Sequence, residues 1–364
     1  MTRDPAPPAA ALERSLLALL RRARPAEDFD ADSVDAALRL YECGGYLHHL
    51  WSRNGTSTPL PPGWAGGLAR SHRKTTVDNL AALAGLRRVG RLLLERQVPF
   101  LLLKGGAYLI DLYDDPGMRM LTDVDLLIRR ADVDRVARLL WKAGMRGDAR
   151  SYEPERFEMW FPGEGHCRFE FHAALGQPGR YRICEQEIWA RSIASEIEGV
   201  ASRRLGPEDA VLYHAAHLAD HYFGPSLKWA IDLREMLRRW TPDPAWLVAR
   251  AREWRVRTAL HLALRHVDKI FPGEVPEGLA DRLAPGPLRR RLLRPYLSDA
   301  PLEIVNASRS KDARRGVLRI LLVDRPIDAA GLLARVVLRP LEMPLRRALG
   351  LARPPWDGPG VGRN

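Results

Sequence analysis

The chain has 364 residues, with 57 basic side chains against 45 acidic ones, for a net charge of +12. That length admits two to three folding units of about 100–200 residues. A hydrophobic share of 46% with 28% charged residues excludes wholesale disorder. No run approaches ~20 consecutive apolar residues, which excludes a membrane-spanning helix. The opening MTRDPAPPAA lacks the pattern of a signal peptide, so a cytoplasmic protein is expected. Cys43, Cys167 and Cys184 are too widely spaced for a disulfide framework or a cysteine zinc site. Arginine supplies 51 of the 57 cations, which points to an anionic ligand, although a high-GC genome produces the same bias.

Residues 1–95 read as helical. A proline–alanine opening leads into LERSLLALLRRAR, and DADSVDAALRLYECGGYLHHLW follows with N-cap candidates at Asp30 and Asp32. After the proline- and glycine-rich loop TSTPLPPGWAGG, residues 67–97 form one long predicted helix.

The middle, residues 96–175, changes character. PFLLL is a short apolar strand that turns through two glycines into the helix AYLIDLY. DVDLLI is a second strand, ADVDRVARLLWKAG an amphipathic helix closed by glycine, and RFEMWF and CRFEFH are two further strands. The order predicts a small mixed α/β unit. Residues 176–284 read as a helical bundle, through GPEDAVLYHAAHLADHYF, SLKWAIDLREMLRRW and PAWLVARAREWRV. Residues 285–364 carry sixteen basic and seven acidic side chains, so +9 of the charge lies there. This segment reads as arginine-coated helices, or as a surface for an acidic peptide, a phosphate-rich partner or a membrane. The expected fold class is α+β, a mixed-sheet core flanked by N- and C-terminal helical regions.

The chemistry concentrates in LLLKGGAYLIDLYDDPGMRMLTDVDLLI. Asp123 and Asp125 lie two apart in a strand and share a face, where two like charges call for a cation, and hard oxygen donors select magnesium. Gly105 and Gly106 allow a tight turn at a helix N-terminus, where free amides hold phosphate. Glu170, in a later strand, supplies a third carboxylate and completes a two-metal arrangement. The plain alternatives are an exposed strand edge for Asp123 and Asp125 and an exposed strand carboxylate for Glu170.

A strand ending in Gly-Gly, a helix, then a strand bearing Asp-Val-Asp resembles the nucleotidyltransferase superfamily of DNA polymerase beta. With DVDRVARLLWKAGM, FEFHAAL and LYHAAHLADHYFGPSLKWAIDLREML, it resembles more narrowly a large family of bacterial nucleotidyltransferases often found in natural-product gene clusters, over roughly residues 75–270. The resemblance implies a polymerase-beta-like core. Gly105 and Gly106 would be the phosphate turn, Asp123 and Asp125 the metal pair, and Glu170 a metal ligand or general base. Lys104 and Arg119 would contact the triphosphate, although Arg119 could equally pair with Asp114 or Asp115. Gly106 departs from the superfamily, where serine is common, and sixteen residues separate it from Asp123.

His214, His217 and His221 fall on one helix face and invite a zinc reading, but no fourth ligand accompanies them. Packing beside the active site or binding the acceptor is the other reading. Asp232 could orient one of these histidines, and His172 shares the face of Glu170. The expected activity is magnesium-dependent transfer of a nucleoside monophosphate, AMP from ATP, to a hydroxyl of a small-molecule or peptide acceptor, with loss of pyrophosphate. Modification of a tRNA or protein, as by toxin–antitoxin nucleotidyltransferases, and a silent nucleotide- or peptide-binding protein are the alternatives. Nucleic-acid binding is not favoured, because no basic stripe is interleaved with aromatics.

Overall fold

The computed structural model describes residues 9–331 except 26, 54–58, 149–151, 154, 164–166, 177–178, 301, 306–311 and 326. The proline–alanine opening over 1–8 and the basic stretch over 332–364 lie outside the described residues. The chain splits into two compact units, each built from separate segments: 1–77, 113–120 and 214–324 in one, 78–112, 121–213 and 325–364 in the other.

The second unit holds a six-stranded mixed sheet in the order β3-β4-β2-β1-β6-β5. Its strands are β1 (Phe100–Leu103), β2 (Asp123–Ile128), β3 (Arg156–Met159), β4 (Arg168–His172), β5 (Ile193–Ile197) and β6 (Val200–Arg204). β1 runs antiparallel to β2, with Leu103 opposite Asp125, and β2 runs parallel to β4, with Asp125 opposite Glu170. The ends of β1 and the beginnings of β2 and β4 therefore share one edge of the sheet.

Alternation decides which residues face which way. Val124, Leu126, Phe169 and Phe171 are buried, as are Phe100 and Leu102. The long helix Pro62–Glu95 lies over this face: a Cβ added at Gly85 would sit 2.9 Å from Phe169 Cζ, and one at Gly90 3.1 Å from Val200 Cγ1. The helix Val133–Lys142 buries Val133, Val136, Ala137 and Leu140 at helical spacing. The opposite face carries Asp123, Asp125, Glu170 and His172.

Residues 176–284 are not wholly helical as the sequence pattern suggests, because β5 and β6 form a hairpin that extends the sheet beyond β1. Its turn, Glu198-Gly199, has both residues at positive φ (44° and 83°), the geometry that suits the twist of a two-residue hairpin. The signal is faint in sequence because the hairpin is half exposed and carries few large apolar residues.

The first unit is helical in its described residues. Ala31–Tyr41 is capped by Asp30, which accepts from the Ser33 amide, and ends at Glu42 in the left-handed region before Gly44–Arg53 begins. Lys228–Glu235 runs into a π-turn over Met236–Trp240. Pro244–Trp254 and Arg257–Ile270 are separated by Arg255 at φ 62°. Asp324 caps Arg257–Ile270 from a distant segment, accepting from the Arg257 and Thr258 amides at 2.6 and 2.9 Å. Cys43, Cys167 and Cys184 are all free thiols. Among the described residues no helix is long and apolar enough to cross a membrane.

Candidate active site

The site forms where β1 ends and β2 and β4 begin. Parallel pairing puts Asp125 beside Glu170, and the two-residue period adds Asp123 and His172 to the same face. Donor atoms of Asp125, Glu170 and His172 lie within 4.8 Å of one another. Asp125 is 2% and Glu170 7% exposed, an arrangement that is costly without compensating cations.

Two basic side chains of the chain compensate it. Lys104 Nζ donates to Asp125 Oδ1 at 2.8 Å, and His172 Nε2 stands 2.8 Å from the same oxygen and 3.6 Å from Glu170 Oε2. Burial pushes the Asp125 carboxyl up, but the Lys104 ammonium and the His172 hydrogen bond overcome it and hold the group well below its ordinary value. Glu170 is lowered too, because bonding to His172 outweighs its burial. His172 rises against the cost of its own burial, through its hydrogen bonds to Asp125 and Glu170. Asp123 moves the other way: burial first, and then the charge of Asp125, raise it. Thr122 Oγ1 donates to Asp123 Oδ1 at 2.9 Å.

Lys104 opens the helix Lys104–Asp111 at φ 40°, in the left-handed region that side chains avoid. Such strain costs of order 1–3 kcal/mol and persists where surrounding packing imposes it. Here it accompanies an ammonium held on Asp125 and 5.9 Å from the Tyr213 ring. Gly105 and Gly106 form the first turn of this helix, and both are buried. A Cβ at Gly106 would meet Val124 Cγ1 at 3.5 Å, an ordinary contact.

Arg119 and Asp232 belong to the helical unit and form a buried bidentate pair, Nε to Oδ1 at 3.1 Å and Nη2 to Oδ2 at 3.0 Å. Tyr113 donates to Asp232 Oδ1 at 2.7 Å. Asp232 thus engages Arg119 and Tyr113, while Asp114 pairs with Arg239 and Asp115 with His72. His214 is buried, with Nε2 2.8 Å from the Trp229 carbonyl. His217 and His221 pack against each other at 4.4 Å between ring centroids and against the Trp229 ring.

Sequence reasoning missed Arg156, whose Nη1 lies 2.6 Å from Glu170 Oε1 without hydrogen-bond alignment. Its place follows from the antiparallel β3–β4 register, which sets Arg156 opposite His172. It also missed the pairing of His172 with Asp125, legible only through the β2–β4 register.

A family profile described as uncharacterised nucleotidyltransferase matches residues 27–272, well over half of the chain. The chain belongs to this family. The nucleotidyltransferase also shows faint likeness to two solved structures. One is the antibiotic-resistance factor ANT(2'')-Ia, at 15% identity and TM-score 0.31, covering 44% of this chain and 84% of that one. The other is an antigenic nucleotidyltransferase-like protein from Paracoccidioides brasiliensis, at 17% identity and TM-score 0.34, covering 57% and 93%. A comparison with curated proteins finds no match. The chain is thus an enzyme of nucleotidyl transfer on an α+β fold, with an NTP as substrate.

Proposed function

We propose that the nucleotidyltransferase moves a nucleoside monophosphate, AMP from ATP, onto a hydroxyl of a small-molecule or peptide acceptor in the cytoplasm, with release of pyrophosphate. The observation that carries this reading is the register of β2 against β4, which brings Asp125 beside Glu170 with Asp123 on the same face. The setting in natural-product biosynthesis rests on the family resemblance alone.

Asp123, Asp125 and Glu170, on one face of the sheet, offer the hard oxygen donors that divalent magnesium takes. Asp123, Asp125 and Glu170 would hold it. Two such ions, when bound, supply charge neutralisation for the triphosphate and acidify the attacking hydroxyl.

The chain's own groups account for the rest. Amides at the Gly105–Gly106 turn receive phosphate oxygens at the helix N-terminus. Lys104, released from Asp125, supplies a cation within reach of the leaving pyrophosphate. The acceptor oxygen forms its bond to the α-phosphorus while the bond from that phosphorus to the bridging oxygen breaks, and the pyrophosphate leaves with that electron pair. The hydroxyl proton passes to Glu170, whose lowered pKa keeps it an unprotonated acceptor. Arg119 and Asp232 act here as a structural pair.

The test is incubation with each labelled nucleoside triphosphate, with and without magnesium, followed by mass spectrometry of the adduct. An added AMP mass that requires magnesium supports the reading. Turnover that is indifferent to magnesium contradicts it.

A further inference from the structure

β4 brings an imidazole to the carboxylates as well as a carboxylate. Glu170 and His172 lie two apart and so share a face of the strand, and the parallel register sets Glu170 beside Asp125. His172 Nε2 stands 2.8 Å from Asp125 Oδ1 and 3.6 Å from Glu170 Oε2, so a single nitrogen faces both acids. Donor atoms of these three residues lie within 4.8 Å of one another, and among the described residues Asp123 does not join that group. The side chains are 3%, 10% and 11% exposed for Asp125, Glu170 and His172, which makes the cluster a closed one.

Two observations mark the imidazole as more than a prop for Asp125. First, the spacings are those of neighbouring ligands on one ion. In an octahedral shell with bonds of about 2.1 Å, adjacent donors stand about 3 Å apart, and the separations of 2.8 and 3.6 Å bracket that value. Second, the cluster keeps acceptor capacity that the chain does not fill. Glu170 Oε1 is buried with no hydrogen-bond partner, because Arg156 Nη1 approaches it to 2.6 Å without alignment. Asp125 Oδ1, for its part, already accepts from Lys104 Nζ at 2.8 Å and needs no histidine to be held. A buried carboxylate oxygen left in this condition is a place for a cation.

We propose that His172 is a metal ligand through Nε2, and that the position it shares with Asp125 and Glu170 takes manganese in preference to magnesium. Magnesium is a hard cation that binds oxygen, and an imidazole nitrogen among its ligands is a poor match. Imidazole suits the transition metals, whereas carboxylates and an octahedral shell suit magnesium, calcium and manganese. Manganese is the ion that meets both demands. Zinc favours four ligands, so three from the chain would leave it one open position. Asp123, which stands outside the three-residue group, offers oxygen alone and keeps the magnesium preference for the position it shares with Asp125.

This inference rests on the metal-dependent transfer proposed above, but its test reads the ion and not turnover. The full-length protein is produced with nitrogen-15 histidine, loaded with manganese without nucleotide, and studied by pulsed electron–nuclear double resonance. Manganese affinity is read from loss of the free-ion resonance, and magnesium affinity by competition. The expected result is one histidine nitrogen coupled to the bound manganese, with manganese held at least tenfold more tightly than magnesium. In His172→Gln the coupling disappears and the preference falls below threefold. Manganese bound with no nitrogen coupling overturns the proposal and leaves the carboxylate site and the transfer standing. Coupling that persists in His172→Gln, or equal affinity of the wild type for the two ions, overturns it as well. Failure of the wild type to bind either ion overturns the metal-dependent reading itself. The wild-type spectrum decides the ligation alone, so the test survives a variant that does not fold.

Discussion

Asp125 and Glu170 stand opposite each other across the parallel ladder of β2 and β4, and both are almost wholly buried. Lys104 and His172 both meet Asp125 at 2.8 Å. Two carboxylates at that depth require cations, and the nucleotidyltransferase supplies them from its own chain.

On the proposed reading, the Lys104 ammonium and a magnesium ion would compete for the same task. Removing one partner of a buried pair costs about 3–5 kcal/mol. Lys104→Met is expected to lower stability by about 3 kcal/mol in urea denaturation with EDTA, and to regain more from added magnesium than the wild type does. Equal magnesium stabilisation of both proteins would contradict this.

Arg119 and Asp232 make a second prediction. The pair is buried, Lys228 lies nearby, and its pKa is lowered by burial and by the Arg119 charge. Asp232→Asn leaves the buried Arg119 without its carboxylate, while Lys228 keeps Glu42 at 3.1 Å, and is expected to cost about 3–5 kcal/mol. The double variant Arg119→Met/Asp232→Asn should lose less than the sum of the singles, because the second change removes the charge the first left stranded. Additive losses in thermal or urea unfolding would show that the two side chains do not act as a pair.

His266 makes the fold sensitive to acid. Burial holds its imidazole down to about 4 from 6.5, opposed by the hydrogen bond to the Leu302 carbonyl. Nε2–H donates to that carbonyl at 2.9 Å, and Nδ1 is buried with no hydrogen-bond partner, so a second proton finds no acceptor. Because the folded pKa lies below the unfolded one, the unfolded chain takes up the proton first. The stabilisation is complete above pH 6.5 and is lost as pH falls toward 4, roughly 3 kcal/mol in all. Unfolding free energies measured at pH 7.5 and 5 should differ less in His266→Gln than in the wild type. The same pH dependence in both proteins would refute the assignment.

Much of this was legible in the sequence where local signals are strong. DVDLLI alternates and is rich in branched residues, and the strand is Asp123–Ile128. The glycine pair after FLLL opens a helix, as a turn there should. Breaks at Glu42 and Arg255 were hidden, because the chain turns left-handed at residues that ordinarily continue a helix. The β5–β6 hairpin was hidden by its thin apolar content. Contacts between distant segments were beyond reach. Asp232 engages Arg119 across 113 residues, and no spacing rule joins them. The His172–Asp125 bond depends on a register that sequence does not state.

The central claim is that Asp123, Asp125 and Glu170 together carry the transfer. The most direct measurement is magnesium-dependent pyrophosphate release from ATP by the wild type and by Asp123→Ala/Asp125→Ala, with circular dichroism to verify the fold. Loss of a preorganised electrostatic contact costs about 10²–10³ in rate, and this variant removes two carboxylates. A fall of a thousandfold or more in a folded variant is the predicted result. Pyrophosphate release at the wild-type rate would contradict the account.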